Sequence, residues 1–379
     1  MSAWPGKYVI GLTGNIATGK SVVRKMLEHL GAYGIDADAL GHRAMAKDAP
    51  GYQGVLKTFG KWILGPDEQI DRTKLARVVF SDPQALSELE AIIHPLVRQA
   101  VDILVRRAPQ KVVVIEAIKL LESPLRASCD TLWVTYAPTE IQMARLMQKR
   151  GMDETTARQR VTAQGSQDEK ISAANVVVRN EGSFEDTWRQ VNAAWKQLFP
   201  SEETGVFRPV TPAAKGALTV EKARPRQAAE IAELITRLSK GQRRLTSEDI
   251  MAAFGEKAFI FLKMDNRPVG LAGWQVENLV ARTDDVYVEP DIVLDKAMKI
   301  MLDEVENSSR DLQCEVSLLF LPSALSQNKE DVWRSLGYEP RIIQSLGVRA
   351  WQEAAQDTLA SDEVMYFKQL RKDRVLRPV

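Results

Sequence analysis

The sequence predicts an α/β fold for its first half, with a mostly parallel sheet covered by helices, followed by a second half of α+β type. Three continuous apolar runs, Val9–Leu12, Val112–Ile115 and Leu132–Tyr136, are typical of strands that are buried on both faces. Amphipathic stretches alternate with these runs, as helices do that cover a parallel sheet. A glycine-bearing loop directly after the first run is the third observation, because such loops join a strand to a helix at ligand sites.

Length and charge exclude several classes of protein. With 379 residues the chain is too long for one small domain, and 51 Lys+Arg against 50 Asp+Glu leave a net charge of +1. This balance argues against an extended surface for nucleic acid or acidic membrane, which needs a clustered positive excess. Cys129 and Cys314 form no C-x-x-C pair, so we expect free thiols. The N-terminal apolar run is short, so a cytoplasmic protein is expected.

The first half is predicted to end with an amphipathic helix. Ser183 and Asp186 form a capping-box pattern at its start. The apolar residues that follow recur at steps of four and three, and we interpret them as core rather than as a ligand platform: Phe184, Trp188, Val191, Trp195 and Leu198. A weaker strand is predicted at Val176–Val178.

A proline-containing stretch without apolar periodicity predicts the domain boundary. We expect one domain over 1–199, a linker over 200–217 and a second domain over 218–379. The elements predicted for the second domain are helices at Arg226–Leu238, from Thr246 and at Ile292–Val305, and strands at Ala258–Met264, Pro268–Trp274, Val286–Val288, Glu315–Leu321, Arg341–Ser345 and Met365–Phe367.

The loop after the first strand has the full pattern G-x-x-x-x-G-K-[ST] of a P-loop. It reads Gly14-Asn15-Ile16-Ala17-Thr18-Gly19-Lys20-Ser21. Its glycines let backbone N–H groups close around nucleotide phosphates, and the following helix directs its positive end at them. Lys20 adds a positive charge, and the Ser21 hydroxyl is the expected ligand of Mg²⁺ bound with ATP. The eight residues therefore predict an ATP site of the P-loop NTPase type.

Two carboxylates follow a second short strand, in Gly34-Ile35-Asp36-Ala37-Asp38. The carboxyl ends of strands in an α/β sheet present ligand groups, so one carboxylate is placed to orient an acceptor hydroxyl or accept its proton. The alternative is that Asp36 or Asp38 caps the following helix. Both interpretations can hold at once.

With these motifs the segment from about Lys7 to Leu198 resembles the dephospho-CoA kinases. The matching pieces are Gly11–Gly14, Ala17–Ser21, Asp36–Asp38, Phe59-Gly60, His94-Pro95, Leu120–Glu122, Gln148–Met152, Gln164 and Asn180. The resemblance implies transfer of the ATP γ-phosphoryl group to the 3′-hydroxyl of dephospho-CoA, the last step of coenzyme A synthesis. It also implies that Asp38 is the catalytic carboxylate, that Lys20 binds phosphate, and that Arg150 lines the transfer site.

A basic stretch after the third apolar run predicts a helical lid. Arg145, Lys149, Arg150, Arg158 and Arg160 lie on two helical stretches joined by Gly151-Met152. Such a lid could close over phosphates and exclude water. The alternative for a charge run is a solvated helix face, and we expect that for Lys149 and Arg158 but not for Arg150.

The loop departs from the family pattern where Asn15 and Ala17 replace glycines. We expect loop residues with positive φ angles here, which asparagine tolerates best among the alternatives to glycine. After the central strand, Glu116 and Ile118 occupy the positions of an acidic residue and a proline. Two other functions stay open: a different P-loop small-molecule kinase, and a CoA- or nucleotide-binding regulatory protein with a weakened kinase site.

The second half resembles a GNAT-type N-acetyltransferase domain, which implies CoA or acetyl-CoA as a ligand. The resemblance lies in Val269–Trp274, Val286–Pro290 and Trp333–Glu339. The expected pyrophosphate loop is Glu289–Lys296. It contains no glycine, loses one N–H donor at Pro290 and carries three carboxylates where an anion should bind. We therefore expect a non-catalytic or regulatory domain, with a working acetyltransferase and a CoA-sensing module as alternatives.

Overall fold

The computed structural model describes residues 3–200, 216–326 and 329–371. Five strands and nine helices make up the described first half. In chain order they are β1 (Tyr8–Thr13), α1 (Lys20–His29), β2 (Tyr33–Asp36), α2 (Ala37–Ala44), α3 (Tyr52–Phe59), α4 (Arg72–Ser81), α5 (Pro83–Arg107), β3 (Val112–Glu116), β4 (Thr131–Tyr136), α6 (Thr139–Arg150), α7 (Glu154–Thr162), α8 (Gln167–Ala173), β5 (Val176–Arg179) and α9 (Phe184–Leu198).

The five strands form one parallel sheet in the order β2-β3-β1-β4-β5, which confirms the predicted fold of the first half. Both Leu12 of β1 and Asp36 of β2 are in register with Glu116 at the end of β3. Because parallel strands end at the same edge, the loop after β1, the carboxylate of Glu116 and the start of α2 lie side by side.

Helices cover both faces of this sheet. One face packs against α2 and α5, with Ile35, Val113 and Leu104 among its buried residues, and the other packs against α1 and α9. The capping box of Ser183 and Asp186 forms as predicted. Trp195 is buried in the core, so the aromatic stripe of α9 packs as we interpreted it.

The described second half holds seven strands and six helices. They are β6 (Leu218–Lys222), α10 (Ala228–Leu238), α11 (Ser247–Ala253), β7 (Ala258–Met264), β8 (Arg267–Glu277), β9 (Val280–Val288), α12 (Leu294–Asp311), β10 (Val316–Pro322), α13 (Ser323–Ser326), α14 (Glu330–Ser335), β11 (Glu339–Pro340), α15 (Arg349–Gln356) and β12 (Glu363–Gln369).

These strands form a mixed sheet in the order β11-β12-β10-β9-β8-β7-β6. Neighbouring strands are antiparallel except β9 and β10, which pair in parallel from Val280 to Thr283. The predicted hairpin of β7 and β8 is present, and Asp265 and Asn266 at its tip have φ angles of 50° and 64°. Such angles are those of a turn that matches the twist of the strands.

The strand predicted at Arg341–Ser345 is wrong. The edge strand β11 has two residues, and Ile343–Ser345 forms a 3-10 turn instead. Arg341 still donates its N–H to the carbonyl of Met365 at 3.0 Å. Pro340 has no N–H to offer a neighbouring strand, and the chain leaves the sheet after it.

The two halves meet along a seam. Leu279 and Leu312 of the second half pack against the core of the first half. His29, at the end of α1, has its Nε2 at 2.9 Å from the carbonyl oxygen of Phe254. The predicted boundaries at 199 and 218 stay a prediction, since most of the linker, 201–215, lies outside the described residues.

Cys129 and Cys314 are buried free thiols, as expected. Burial raises the pKa of Cys129 to about 12, so its thiol is protonated at neutral pH. Over the described ranges, no helix has the length and apolarity that a membrane span requires.

Candidate functional site

Backbone geometry at two positions of the loop after β1 requires glycine. Gly14 has a φ of 151° and Gly19 one of 93°. A Cβ at Gly14 would collide with Thr135, and one at Gly19 with the side-chain amide of Asn180. The loop therefore adopts a conformation that only glycine allows at these points. Helix α1 begins directly after Gly19 with no side-chain cap and no acidic residue in its first turn, so its N–H groups face the loop.

Positive φ angles were expected at the two positions, Asn15 and Ala17, where the loop departs from the family pattern, and the structure has one at Ala17. Ala17 takes a φ of 59°, but Asn15 is not among the residues with positive φ. Asn15 is held by its side chain instead. Its Nδ2 donates to the carbonyl of Gly165 at 3.0 Å, and its Oδ1 accepts from Lys170 Nζ at 2.9 Å. This residue joins the loop to the segment that follows the lid.

Lys20 is 7% exposed and points back over the loop. Its Nζ donates to the carbonyl oxygens of Gly14 at 3.0 Å and Asn15 at 3.1 Å. Burial lowers its pKa, and the nearby Glu116 and Asp38 carboxylates oppose that shift. Among the described residues no carboxylate lies within ion-pair distance of its ammonium group. A positive charge is thus held beside the loop without an ionic partner of its own.

Ser21 lies at the other side of the loop, where its hydroxyl meets a carboxylate. Its Oγ donates to Glu116 Oε1 at 2.9 Å, and Arg24 Nε donates to Glu116 Oε2 at 2.7 Å. A hydroxyl and a carboxylate oxygen are the hard ligands that Mg²⁺ prefers. The donor set at Ser21 therefore fits the ion that accompanies ATP in P-loop sites.

The two carboxylates after β2 have different roles. Asp36 caps α2, because its Oδ1 accepts from the N–H of Ala39 at 2.8 Å. Asp38, in the first turn of α2, accepts from the N–H of Ile118 at 3.0 Å. Burial raises the pKa of Asp38, against the opposing effects of that N–H and of Lys20. The capping alternative is thus correct for Asp36, whereas Asp38 faces the region between Lys20 and Ile118.

Lys170 of α8 belongs to the same site, and our sequence analysis missed it. It is 5% exposed, and besides Asn15 its Nζ reaches the carbonyl of Ile118 at 3.1 Å. Burial lowers its pKa, while Glu122 and Asp38 oppose the shift. Within the described ranges it forms no ion pair. Two buried lysines, from distant parts of the chain, therefore flank Asp38 and the loop.

The predicted lid helices are present as α6 and α7, and the chain after them covers the loop. Gln164 Oε1 accepts from the N–H of Ile16 at 2.6 Å. Arg145 donates to the carbonyls of Ala17 at 3.0 Å and Asn180 at 2.9 Å. Arg158 is exposed and pairs with Glu154, as expected for a solvated face. Arg150 ends α6, and its side chain, like that of Lys149, lies outside the described residues.

The loop Glu289–Lys296 of the second half differs from the expectation in its charge. Glu289 accepts from Arg267 at 2.7 and 2.8 Å and also from Arg237. These two guanidinium groups lower the pKa of Glu289 and offset its charge, so the negative field expected there is weaker. Helix α12 begins at Leu294 without a side-chain cap.

Comparisons with known proteins agree with this geometry. The family model described as dephospho-CoA kinase matches residues 8–186. A dephospho-CoA kinase of Geobacter metallireducens is 44% identical over 192 residues, which are 50% of this chain and 96% of the relative.

Two solved structures cover different parts of the chain. TT1252 from Thermus thermophilus is 33% identical and covers 51% of this chain and 98% of its own, with a TM-score of 0.46. An acetyltransferase of the GNAT family from Staphylococcus aureus covers 41% of this chain, in its C-terminal part, and 100% of its own, at 13% identity and a TM-score of 0.34.

The kinase relative is matched along nearly its whole length, and the matched segment contains the loop, Asp38 and Lys170. The chain therefore belongs to the dephospho-CoA kinase family.

Proposed function

We propose that this protein transfers the γ-phosphoryl group of ATP to the 3′-hydroxyl of dephospho-CoA, and that Lys20, Lys170 and Asp38 carry the reaction. The observation that supports these roles is the pair of buried ammonium groups that form no ion pair with any residue the structure describes. A buried charge is costly unless a group of opposite sign accompanies it. The phosphates of ATP would supply that group, because both lysines border the loop whose N–H groups bind phosphate.

Asp38 is proposed as the group that receives the acceptor's proton. In the transfer, the bond between the γ-phosphorus and the bridging oxygen of ADP breaks, and a new bond to the ribose 3′-oxygen forms. The hydroxyl proton passes to Asp38, which releases it to solvent after the products leave. Burial keeps the pKa of Asp38 above that of an ordinary aspartate, which makes it a better proton acceptor than an exposed carboxylate.

The remaining residues are proposed to bind and shield. The backbone of Gly14–Ser21 would hold the phosphates, and Mg²⁺ bound by Ser21 would offset charge between the β- and γ-phosphates. The side-chain oxygen of Gln164 accepts a hydrogen bond from the N–H of Ile16. A phosphate can bind that N–H only after the Gln164 side chain has turned away. Arg150, at the end of α6, is proposed to line the transfer site once the lid has closed.

The test is formation of CoA by the full chain with ATP, Mg²⁺ and dephospho-CoA, with the product identified by mass. Nucleoside monophosphates and shikimate, offered in the same assay, distinguish this function from another P-loop kinase. CoA as the preferred product supports the proposal. ATP binding without transfer to any of these acceptors would contradict it and favour the regulatory alternative.

For the second half we propose a non-catalytic role. Pro290 offers no N–H to a pyrophosphate, and Glu289 already binds Arg267 and Arg237. Acetyl-CoA incubated with the full chain and amines such as spermine or a lysine peptide should release no more CoA than a protein-free control. Release above that control would restore the acetyltransferase alternative.

A further inference from the structure

The second half contacts α2, the helix that carries Asp38. Arg43 lies in the last turn of α2, five residues after Asp38. Its Nη2 donates to Glu315 Oε1 at 2.6 Å, and its Nη1 donates to the carbonyl of Asn278. Both acceptors belong to the second half, at the start of β10 and in the turn between β8 and β9. The C-terminal end of α2 is therefore bound to a part of the chain outside the region matched by the kinase family.

This contact is a buried ion pair. The side chain of Arg43 is 10% exposed and that of Glu315 is 2% exposed. In a poorly solvated place, the loss of one member of an ion pair is strongly unfavourable. The ion pair therefore favours a position of α2 in which the guanidinium of Arg43 contacts Glu315. It restricts movement of α2 away from the second half.

Packing between α2 and the second half is incomplete at one point. A cavity of about 40 Å³ lies at the seam, bordered by Asp36, Ala39 and Arg43 on one side and by Glu277 and Leu279 on the other. Because the two halves leave this space between them, the directed polar contacts of Arg43 add to the packing of Leu279 and Leu312 in setting the distance from α2 to the second half.

Helix α2 is short enough to transmit a shift from one end to the other. Five residues of α-helix span about 7.5 Å, so Asp38 and Arg43 lie on one rigid segment less than two turns apart. At its other end, Asp38 is held by the N–H of Ile118. A movement at Arg43 would therefore change the direction in which the Asp38 carboxylate faces the acceptor.

Two further contacts join the second half to the elements beside α2. His29 at the end of α1 meets the carbonyl of Phe254, and the Tyr33 hydroxyl at the start of β2 donates to the carbonyl of Leu312 at 3.4 Å. Helix α1 begins at Lys20, and β2 ends at Asp36. The second half thus contacts α1, β2 and α2, the three consecutive elements that run from Lys20 to Asp38.

We propose that Arg43 and Glu315 are positioning residues for the kinase reaction, through which the second half holds α2 and thereby aims Asp38 at the acceptor hydroxyl. The inference rests on the proposed function, since it assigns the acceptor step to Asp38. It gives the second half a role in phosphoryl transfer that requires no ligand of its own.

The experiment compares the full-length wild type with four variants: Arg43→Met, Arg43→Lys, Glu315→Gln and Arg43→Met/Glu315→Gln. Arg334→Met is the matched control, because it also removes a guanidinium from an ion pair, here the exposed pair of Arg334 with Glu330 in the second half. CoA formation and ATP consumption are measured together, with separate KM values for ATP and dephospho-CoA. Binding of a fluorescent ATP analogue reports whether the nucleotide site is folded.

A misaligned reacting group typically lowers the rate by a factor on the order of 10². We expect Arg43→Met and Glu315→Gln to lose about tenfold to hundredfold in kcat for CoA, with ATP binding retained and a smaller share of consumed ATP recovered as CoA. Arg43→Lys should recover part of the loss. The double variant should lose less than the two single losses multiplied together, because the residues act as one pair.

Wild-type kinetics in Arg43→Met and Glu315→Gln would overturn the inference, as would a loss of equal size in Arg334→Met. If Arg43→Met fails to bind ATP while Glu315→Gln and Arg43→Lys have normal kinetics, the pair serves the fold alone and the inference is also wrong. A wild type that forms no CoA would instead refute the proposed function, so the two failures can be told apart.

Discussion

Two regions of the molecule bury lysines in opposite ways. Beside the loop of the first half, Lys20 and Lys170 donate to carbonyl oxygens and have no ion pair among the described residues. In the second half, Lys257 donates to Asp284 at 2.7 Å and to Asp285 at 2.8 Å. Arg243 also binds Asp285, and its Nη1 lies 2.8 Å from the hydroxyl of Tyr287.

This difference in ionic partners indicates that the region of Lys20 and Lys170 is a binding site, whereas the region of Lys257 is a structural ion cluster. Burial lowers the pKa of Lys20 and of Lys170, whereas the two carboxylates beside Lys257 raise its pKa despite burial. A buried cation without a carboxylate stabilises the fold poorly, but it is ready to bind an anion. A cation between two carboxylates holds its own strands together and offers little charge to a ligand.

Replacement of Lys20 tests the first region with the largest expected effect. Lys20→Met should lower kcat for CoA by a factor on the order of 10²–10³, because charge stabilisation in the transfer is lost. It should not lower the free energy of unfolding, since it removes a buried ammonium group that has no ion pair in the described part of the chain. Steady-state kinetics and urea unfolding measure the two effects. A variant with full activity would remove Lys20 from the site.

The equivalent change in the second region should have the opposite outcome. Lys257→Met removes the lysine that Asp284 and Asp285 share and leaves Arg243 beside Asp285, and it should lower the free energy of unfolding by about 3 kcal/mol. Turnover at a temperature where the variant is folded should change far less than in Lys20→Met. Equal stability of Lys257→Met and wild type would contradict a structural role for this cluster.

Lys170 is expected to contribute less than Lys20, because in the described part of the chain it contacts the loop at the side chain of Asn15, whereas Lys20 donates to two carbonyl oxygens of the loop backbone. Lys170→Met should lower kcat for CoA by about tenfold to hundredfold. Lys196→Met on the exposed side of α9 is the control for removal of one positive charge. If both variants have wild-type kinetics, Lys170 is a structural lysine.

The pH dependence of the rate is expected to be a smaller effect than those of the three lysine replacements. Burial raises the pKa of Asp38, and the carboxylate must be ionised to accept a proton. The rate should therefore fall as pH decreases through a pKa above the usual aspartate value of about 4. The profile of kcat/KM for dephospho-CoA measures this. A rate that stays constant down to the ordinary aspartate pKa would show that Asp38 does not receive the proton.

Local signals were sufficient to predict the loop and the strands around it. The pattern Gly14–Ser21 depends only on consecutive residues, and the buried strands of a parallel sheet are continuous apolar runs. The carboxylates Asp36 and Asp38 could be located because a short strand and its following helix are also adjacent in sequence, and the choice of Asp38 came from the resemblance to the dephospho-CoA kinases. In these elements, residues that lie close together in space are also close together in sequence.

Long-range contacts explain what the sequence did not reveal. Lys170 contacts the loop at Asn15, although it follows Asn15 by 155 positions in the sequence. Nothing in the residues next to it in sequence distinguishes it from an exposed lysine. Strand β9 was predicted only over Val286–Val288. Its earlier residues include Arg282 and Asp284. Arg282 pairs with Glu277 across the turn between β8 and β9 and donates to the Thr358 hydroxyl at 3.1 Å, and Asp284 pairs with Lys257. These contacts, which involve segments distant in sequence, allow a strand with charges to be buried.

The most direct test of the proposed reaction is a single-turnover measurement on Asp38→Asn beside the wild type. Asparagine keeps the size and the carbonyl oxygen that accepts from Ile118, but it cannot accept the hydroxyl proton. We predict that the variant binds ATP as the wild type does and forms CoA more slowly by a factor on the order of 10²–10⁴. Formation of CoA at the wild-type rate by Asp38→Asn would contradict the proposed role of Asp38 and the arrangement built around it.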